Sequence, residues 1–200
     1  MRRALVDAAL EIVKEQGVGA ISLREAARRA GVTHGAPYRH FADRAALVAA
    51  VAEEGFRELH GAAEAASSAA GTEPLKRFQA LGVAYVKYAV EHPAHFRVMF
   101  GVEASGATPE VRAAESAVFS LTVHALAEAQ RAGLVIEGPP PELALCAWSM
   151  MHGLSGLLLG GMVDWSGLRD QDVERLTRRI AIRLFEGLRP GPSYYPPRDR

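Results

Sequence analysis

Residues 22–47 constrain the fold of this chain more than any other segment; they read SLREAARRAGVTHGAPYRHFADRAAL. Ser22 and Glu25 have the spacing of a capping box, which starts a helix by satisfying its free backbone N–H groups. Gly31 can adopt the left-handed conformation that ends a helix, and Asp43 is a good N-cap for a further one. The segment therefore predicts short helices joined by a tight turn, which fits either a helix-turn-helix or an ordinary helical hairpin.

The expected second helix, residues 34–41, favours the helix-turn-helix. It is short and polar, and its side chains include donors for phosphates and base edges: His34, Tyr38, Arg39 and His40. From residue 24 to residue 44 there are five arginines against two acidic residues, although the whole chain has a formal net charge of zero. This local excess of positive charge suits a nucleic-acid partner.

The same segment resembles a known family. From about residue 2 to residue 50 the chain is similar to the DNA-binding domain of TetR/AcrR-type transcriptional repressors, and the matching positions are Ser22-Leu23, Ala27, Ala30-Gly31-Val32-Thr33, Gly35, Tyr38, His40-Phe41 and Leu47. One departure is Pro37, where the commoner pattern has leucine. Because proline is tolerated only in the first helical turn, the recognition helix is expected to begin late, near Gly35.

The resemblance implies a set of DNA contacts. The residues expected mainly at phosphates are Ser22, Thr33, Tyr38, His40 and Arg44. The candidates for base edges are His34, Gly35, Ala36 and Arg39. Pro37 leaves open which of His34, Gly35 and Ala36 faces a base.

Helical spacing of apolar residues recurs along the rest of the chain, and no alternation of period two is found. We therefore predict an all-α fold of about nine helices. The resemblance implies a helix-turn-helix domain at 1–50 and a larger ligand-binding and dimerisation domain at 51–188, and residues 189–200 are expected to form a disordered tail. A long helix from Arg44 to about Ala65 would link the domains, and residues 62–72 are expected to form a loop or a frayed helix end.

Residues 143–163 carry no formal charge over 21 positions, which is long enough to span a bilayer. Ser149, His152, Ser155 and four glycines lower the hydropathy, so we favour a buried helix. The resemblance places it inside its own subunit and, with residues 170–188, against a dimer partner. Acidic residues Asp7 and Glu11 interrupt any secretory signal, which favours a cytoplasmic protein without a membrane partner. A membrane-anchored DNA-binding protein remains the alternative.

Aromatic and sulfur side chains suggest where an effector binds, although such residues also make ordinary helical cores. The candidates are Tyr85, Tyr88, Phe96, Met99, Phe100, Phe119, His124, Met151 and His152. For His152 a core role is preferred over ligand binding. The lack of charge among these residues predicts an apolar or aromatic effector.

No catalytic motif, cofactor motif or metal motif was found. There is no phosphate loop, no His-Glu-x-x-His and no nucleophile elbow, and the lone Cys146 excludes a disulfide framework. The His92-x-x-His95 pair is interrupted by Pro93, which breaks the helix that would align the two imidazoles, so no metal is expected there. The resemblance to TetR/AcrR-type repressors implies a non-enzymatic homodimeric repressor that binds a palindromic operator and is released by a small molecule. A helical ligand-binding protein with a vestigial DNA head remains possible.

Overall fold

The computed structural model describes residues 1–101, 108–161 and 170–188, and within those ranges it contains helices and no strand. The α-helices are α1 (Arg2–Gln16), α2 (Leu23–Arg29), α3 (Arg44–Ala69), α4 (Pro74–Glu91), α5 (Pro93–Met99), α6 (Pro109–Arg131), α7 (Pro140–Leu159) and α8 (Asp170–Leu188). The all-α prediction is confirmed, with eight α-helices in the described ranges where about nine were expected. The predicted tail at 189–200 lies outside the described residues.

The helix ends around the first turn follow the sequence signals. Ser22 Oγ accepts a hydrogen bond from Glu25 N at 3.2 Å, and Asp43 Oδ1 accepts one from Ala46 N at 2.8 Å. Gly31 takes the expected left-handed conformation with φ of +66°. The reciprocal half of the capping box is replaced, because the Glu25 carboxylate accepts hydrogen bonds from two arginines of its own helix.

The prediction of a second helix at residues 34–41 is wrong. The chain forms a turn at residues 34–36 and then a single 3₁₀ turn, Pro37–Arg39. Proline lacks a backbone N–H and fixes φ, so it can only stand at the start of a helix. His40 N and Phe41 N both donate to the Pro37 carbonyl at 2.9 Å, which ends the turn before α3 begins.

Helix α3 runs for 26 residues, about 39 Å at the usual rise, and crosses the predicted domain boundary at residue 50 without interruption. It also continues to Ala69, so most of the loop predicted at residues 62–72 is helical. Phe56 is 2% exposed and its ring lies edge-on to that of Phe100 at 5.4 Å. One apolar core extends from Leu5 on α1 to Val173 on α8, so the N-terminal helices pack directly on the larger body.

Helix α7 is long and apolar enough to cross a membrane by length and composition alone. Of its most apolar 18-residue stretch, 28% is buried in the structure. Pro141 and Glu142 are exposed in the first turn of α7. The exposed residues after that turn lie within roughly 140° of the helix circumference when placed at the α-helical period, and they carry no formal charge. They are Leu145, Cys146, Ser149, Met150, Gly153, Gly156 and Leu157, with Gly160 just beyond the helix end. One side of α7 is therefore buried within the subunit, as expected, and the packing of its other side against a dimer partner stays a prediction.

Candidate functional sites

An exposed polar strip lies between α2 and α3. Thr33, His34, Gly35, Tyr38, Arg39 and His40 are all exposed, and Tyr38 presents 56% of its surface to solvent. An aromatic side chain exposed to this extent contributes little to the core and is available to a partner. Beneath the strip, Ala36, Pro37 and Phe41 are buried and fix its position.

The expected contact between Ala36 and a DNA base does not fit the structure. Its methyl group is 8% exposed and packs inward, so it does not lie on the surface offered to DNA. The turn at residues 34–36, closed by Ala36 N donating to Thr33 O at 2.9 Å, directs this side chain toward the protein. The side chains of His34 and Arg39 stay on the outer surface.

The arginines near the strip differ in how far their charges are already paired with acidic residues of the protein. Arg28 and then Arg29 donate hydrogen bonds that lower the pKa of Glu25 to about 2, and Arg29 also pairs with Glu15 at 2.7 Å. The Arg39 backbone N–H donates to the Ala36 carbonyl, but its guanidinium makes no hydrogen bond or ion pair with the residues that the structure describes. Its guanidinium is therefore the better placed of these to contact a nucleic acid.

Arg44 holds the start of α3 against the preceding chain. Its Nε donates to the Ile21 carbonyl at 2.9 Å and its Nη2 donates to the Val18 carbonyl at 3.0 Å. These bonds connect α3 with the 3₁₀ turn Val18–Ala20 that follows α1. The structure thus gives Arg44 a role in the protein's own architecture, while its contact with phosphate stays a prediction.

An apolar cavity, narrow and partly open to solvent, lies among α3, α4, α6, α7 and α8. Three of the predicted effector residues line it: Tyr85, Phe119 and Met151. Other lining residues that the sequence did not single out include Leu59 and Ala63 of α3, Leu81 of α4, Thr122 of α6 and Trp148 of α7. Such a lining suits an apolar ligand with few polar groups.

Three polar groups meet at the edge of this cavity. Trp148 Nε1 donates to the Tyr85 hydroxyl at 3.0 Å, and the same hydroxyl lies 2.9 Å from His152 Nδ1. Burial raises the pKa of Tyr85, so the phenol keeps its proton. The hydroxyl can accept from the indole and donate to Nδ1, which satisfies all three groups when the imidazole is neutral and carries its proton on Nε2.

The remaining predicted effector residues lie outside the cavity lining. Phe96, Phe100 and His152 form an aromatic cluster beside Tyr85, with the Phe96 and His152 rings stacked at 5.4 Å. Met99 is buried against Gly55, and His124 is exposed on α6.

Two positions show what the sequence reasoning missed. Tyr88 hydrogen-bonds to Glu58, in a group with His92 and His95 that is able to hold a metal ion. Trp148, which lines the cavity, was not among the predicted effector residues. Its position four residues before His152 was the available sign that the two share a helix face.

The family follows from comparisons with known proteins. Residues 5–51 match the family described as bacterial regulatory proteins, tetR family, and residues 78–183 match the tetracyclin repressor-like C-terminal domain. The chain belongs to the TetR family of transcription regulators. It is accordingly a DNA-binding regulator and not an enzyme.

Individual relatives agree with this assignment. A protein of unknown function from Rhodococcus sp. RHA1 is 38% identical with a TM-score of 0.82, over 94% of this chain and 95% of that one. A tetR-family regulatory protein from Rhodococcus RHA1 shares the fold, with a TM-score of 0.76 and 20% identity over 92% and 96% of the two chains. The HTH-type transcriptional regulator BetI of Rhizobium meliloti (strain 1021) is 39% identical over 80 residues, which span 40% of this chain and only 39% of BetI.

Replacing Arg44 by alanine should lower the free energy of unfolding by about 1.5–3 kcal/mol, because it removes charged donors from two backbone carbonyls. Urea unfolding measures this, and Arg39→Ala, which removes an exposed arginine nearby, should change stability by less than about 0.5 kcal/mol. An unchanged unfolding energy together with uniformly weaker DNA binding would instead identify Arg44 as a phosphate contact.

Protonation of His152 should lower the free energy of unfolding at acidic pH. Burial lowers its pKa from the ordinary 6.5, since the charged imidazole is disfavoured. The stabilisation that comes from the neutral His152 side chain is therefore complete above pH 6.5, and it is lost as the pH falls through the lowered pKa. The difference in unfolding free energy between the wild type and His152→Gln, whose amide oxygen still accepts from Tyr85, should shrink on acidification. A difference that stays constant with pH would contradict this role.

Proposed function

We propose that this protein is a homodimeric, ligand-responsive transcriptional repressor. One observation carries the proposal: a single helix joins the exposed strip to the apolar cavity. Helix α3 begins four residues after His40, and further along it Leu59 and Ala63 line the cavity. A ligand that displaces this part of α3 therefore acts on an element that also positions the strip.

We assign the DNA contacts to the exposed strip and its flanks. Arg39 and His34 are the proposed base readers, with Gly35 allowing close approach to the duplex. Phosphate contacts are assigned to Ser22, Thr33, Tyr38, His40 and Arg44. The buried Ala36 is left out of this set. Because the reading element is one turn long, the base contacts of each subunit come from few side chains.

A second copy of the chain is the proposed partner of α7. After Glu142 in the first turn, the exposed face of this helix carries no formal charge, and an added Cβ at Gly153 or Gly156 would meet nothing within 4 Å in the subunit. Leu157 is 42% exposed there, and Ile182 of α8 is 42% exposed. Small residues allow close helix packing, so α7 and α8 of two copies are proposed to form a four-helix interface. Covering the apolar face in this way favours a cytoplasmic dimer over a membrane anchor.

Induction is proposed to be a shift between two spacings of the DNA-binding units. The effector must prefer the spacing that does not fit the operator. Converting an almost fully competent dimer to an almost fully incompetent one requires a preference of about 5.5 kcal/mol. The lining of the cavity favours an uncharged aromatic or aliphatic effector that hydrogen-bonds to the Tyr85 and His152 pair.

Selection of bound sequences from random DNA should enrich a palindrome, because a twofold dimer reads two equivalent half-sites. In the same assay Arg39→Ala should relax preference at one position of each half-site by about 1–3 kcal/mol. His124→Gln, an exposed change on α6, is the control and should leave the preference intact. An equal loss on all sequences would make Arg39 a phosphate contact, and failure to enrich any sequence would favour a vestigial DNA head.

Leu157→Glu should convert the dimer to monomers, since it places a charge in an apolar interface without a partner. Sedimentation measures the change. Ala65→Glu introduces the same charge at an exposed position of α3 and should leave the dimer intact. A dimer that survives Leu157→Glu would remove α7 from the interface, and a wild type that requires detergent would favour the membrane-anchored alternative.

Thr122→Phe should fill part of the cavity and abolish the response to effector while operator binding persists. The test is a thermal-shift screen of uncharged aromatic and aliphatic compounds, followed by operator titrations with the hits. Thr122→Val has nearly the same volume as the wild type and should still respond. A compound that binds the wild type tightly and leaves operator affinity unchanged would contradict the mechanism.

A further inference from the structure

Three metal-ligating side chains converge between α3 and the junction of α4 with α5. One carboxylate oxygen of Glu58 and one ring nitrogen each of His92 and His95 lie within 4.8 Å of one another. The sequence argument against a metal here was that Pro93 breaks the helix. In the structure Pro93 is the first residue of α5 and His92 precedes it, so the break turns both imidazoles toward α3, with ring centroids 6.1 Å apart.

Neighbouring side chains hold each of these groups. The Tyr88 hydroxyl donates to Glu58 Oε2 at 3.2 Å, and the Tyr88 ring stacks on His92 at 4.5 Å. His95 is buried, with Nε2 3.4 Å from Glu54 Oε1. Outer groups of this kind, a hydroxyl on the carboxylate ligand and a carboxylate on the imidazole, orient ligands around protein-bound metal ions.

We propose that Glu58, His92 and His95 bind one transition metal ion of the Zn²⁺ class. Two imidazoles and a carboxylate suit Zn²⁺, and Co²⁺ can replace it as a spectroscopic probe. Metal–ligand bonds of about 2.0–2.2 Å in a tetrahedron separate the ligand atoms by about 3.3–3.6 Å. The observed separations of up to 4.8 Å therefore need closing by about 1.2–1.5 Å, which rotation of the exposed His92 side chain can supply. His92 also gives the ion a route from solvent.

Such an ion would join three helices. Glu58 lies on α3, while His92 and His95 belong to the turn from α4 into α5. Glu54, one helical turn before Glu58, also pairs with Arg3 of α1 at 2.9 Å. Metal binding would therefore tie α3 to the α4–α5 junction and raise the melting temperature. The proposal is independent of the operator and of the effector.

The experiment uses the full chain without a histidine tag, after treatment with a chelator. Co²⁺ is titrated while its visible absorption is recorded, and Zn²⁺ is then added in competition. We expect one Co²⁺ per chain, displacement by Zn²⁺, and a higher melting temperature with Zn²⁺. His92→Gln and Glu58→Gln should each weaken Co²⁺ binding at least about tenfold. The second variant keeps an acceptor for the Tyr88 hydroxyl.

His124→Gln is the matched control, since it removes an exposed imidazole on α6 far from the cluster in sequence; it should bind Co²⁺ as the wild type does. No Co²⁺ binding by the wild type would overturn the proposal and leave the cluster as a hydrogen-bonded network. Equal binding by the wild type and His92→Gln would overturn it as well, because the ion would then lie elsewhere. If Glu58→Gln fails to fold, the exposed His92→Gln still decides the question.

Discussion

The buried stripe of α3 packs against α1 at one end and against α4, α5 and α6 along the rest of its length. Leu47, Val51, Phe56 and Leu59 are all nearly inaccessible to solvent, so the helix cannot shift at one end without disturbing apolar contacts at the other. Close-packed interiors tolerate alternative arrangements but resist continuous deformation. A single rigid element of this kind makes a small cavity near residue 60 relevant to a surface near residue 40.

Polar groups are sparse around that cavity, and those of Tyr85 and Trp148 are already paired. The Tyr85 hydroxyl serves Trp148 and His152 at once, so the indole N–H and the phenol O–H both have acceptors. A ligand that forms a hydrogen bond with His152 or Tyr85 must replace one of these bonds. Uncharged compounds lose least in that exchange, since burying a charge beside apolar walls carries a large desolvation penalty.

Local chemistry was predictable from the sequence, and long-range geometry was not. The caps at Ser22 and Asp43 and the turn at Gly31 depend on neighbours within three or four residues, and each formed as expected. The short reading element was partly foreseen from Pro37, but a full helix was still expected. The burial of Ala36, the Arg44 bonds to Val18 and Ile21, and the approach of Glu58 to His92 all depend on how helices pack together. No spacing along the chain encodes those distances.

In the proposed DNA-reading role, the single turn Pro37–Arg39 limits how much sequence one chain can contact directly. Few side chains reach outward from it, and a proline-locked backbone cannot lengthen the helix to recruit more. Discrimination must then draw on properties of the duplex that need no direct contact, such as groove width and the ease with which particular base steps bend. For this protein the deformability of the DNA near the proposed contacts then contributes to specificity.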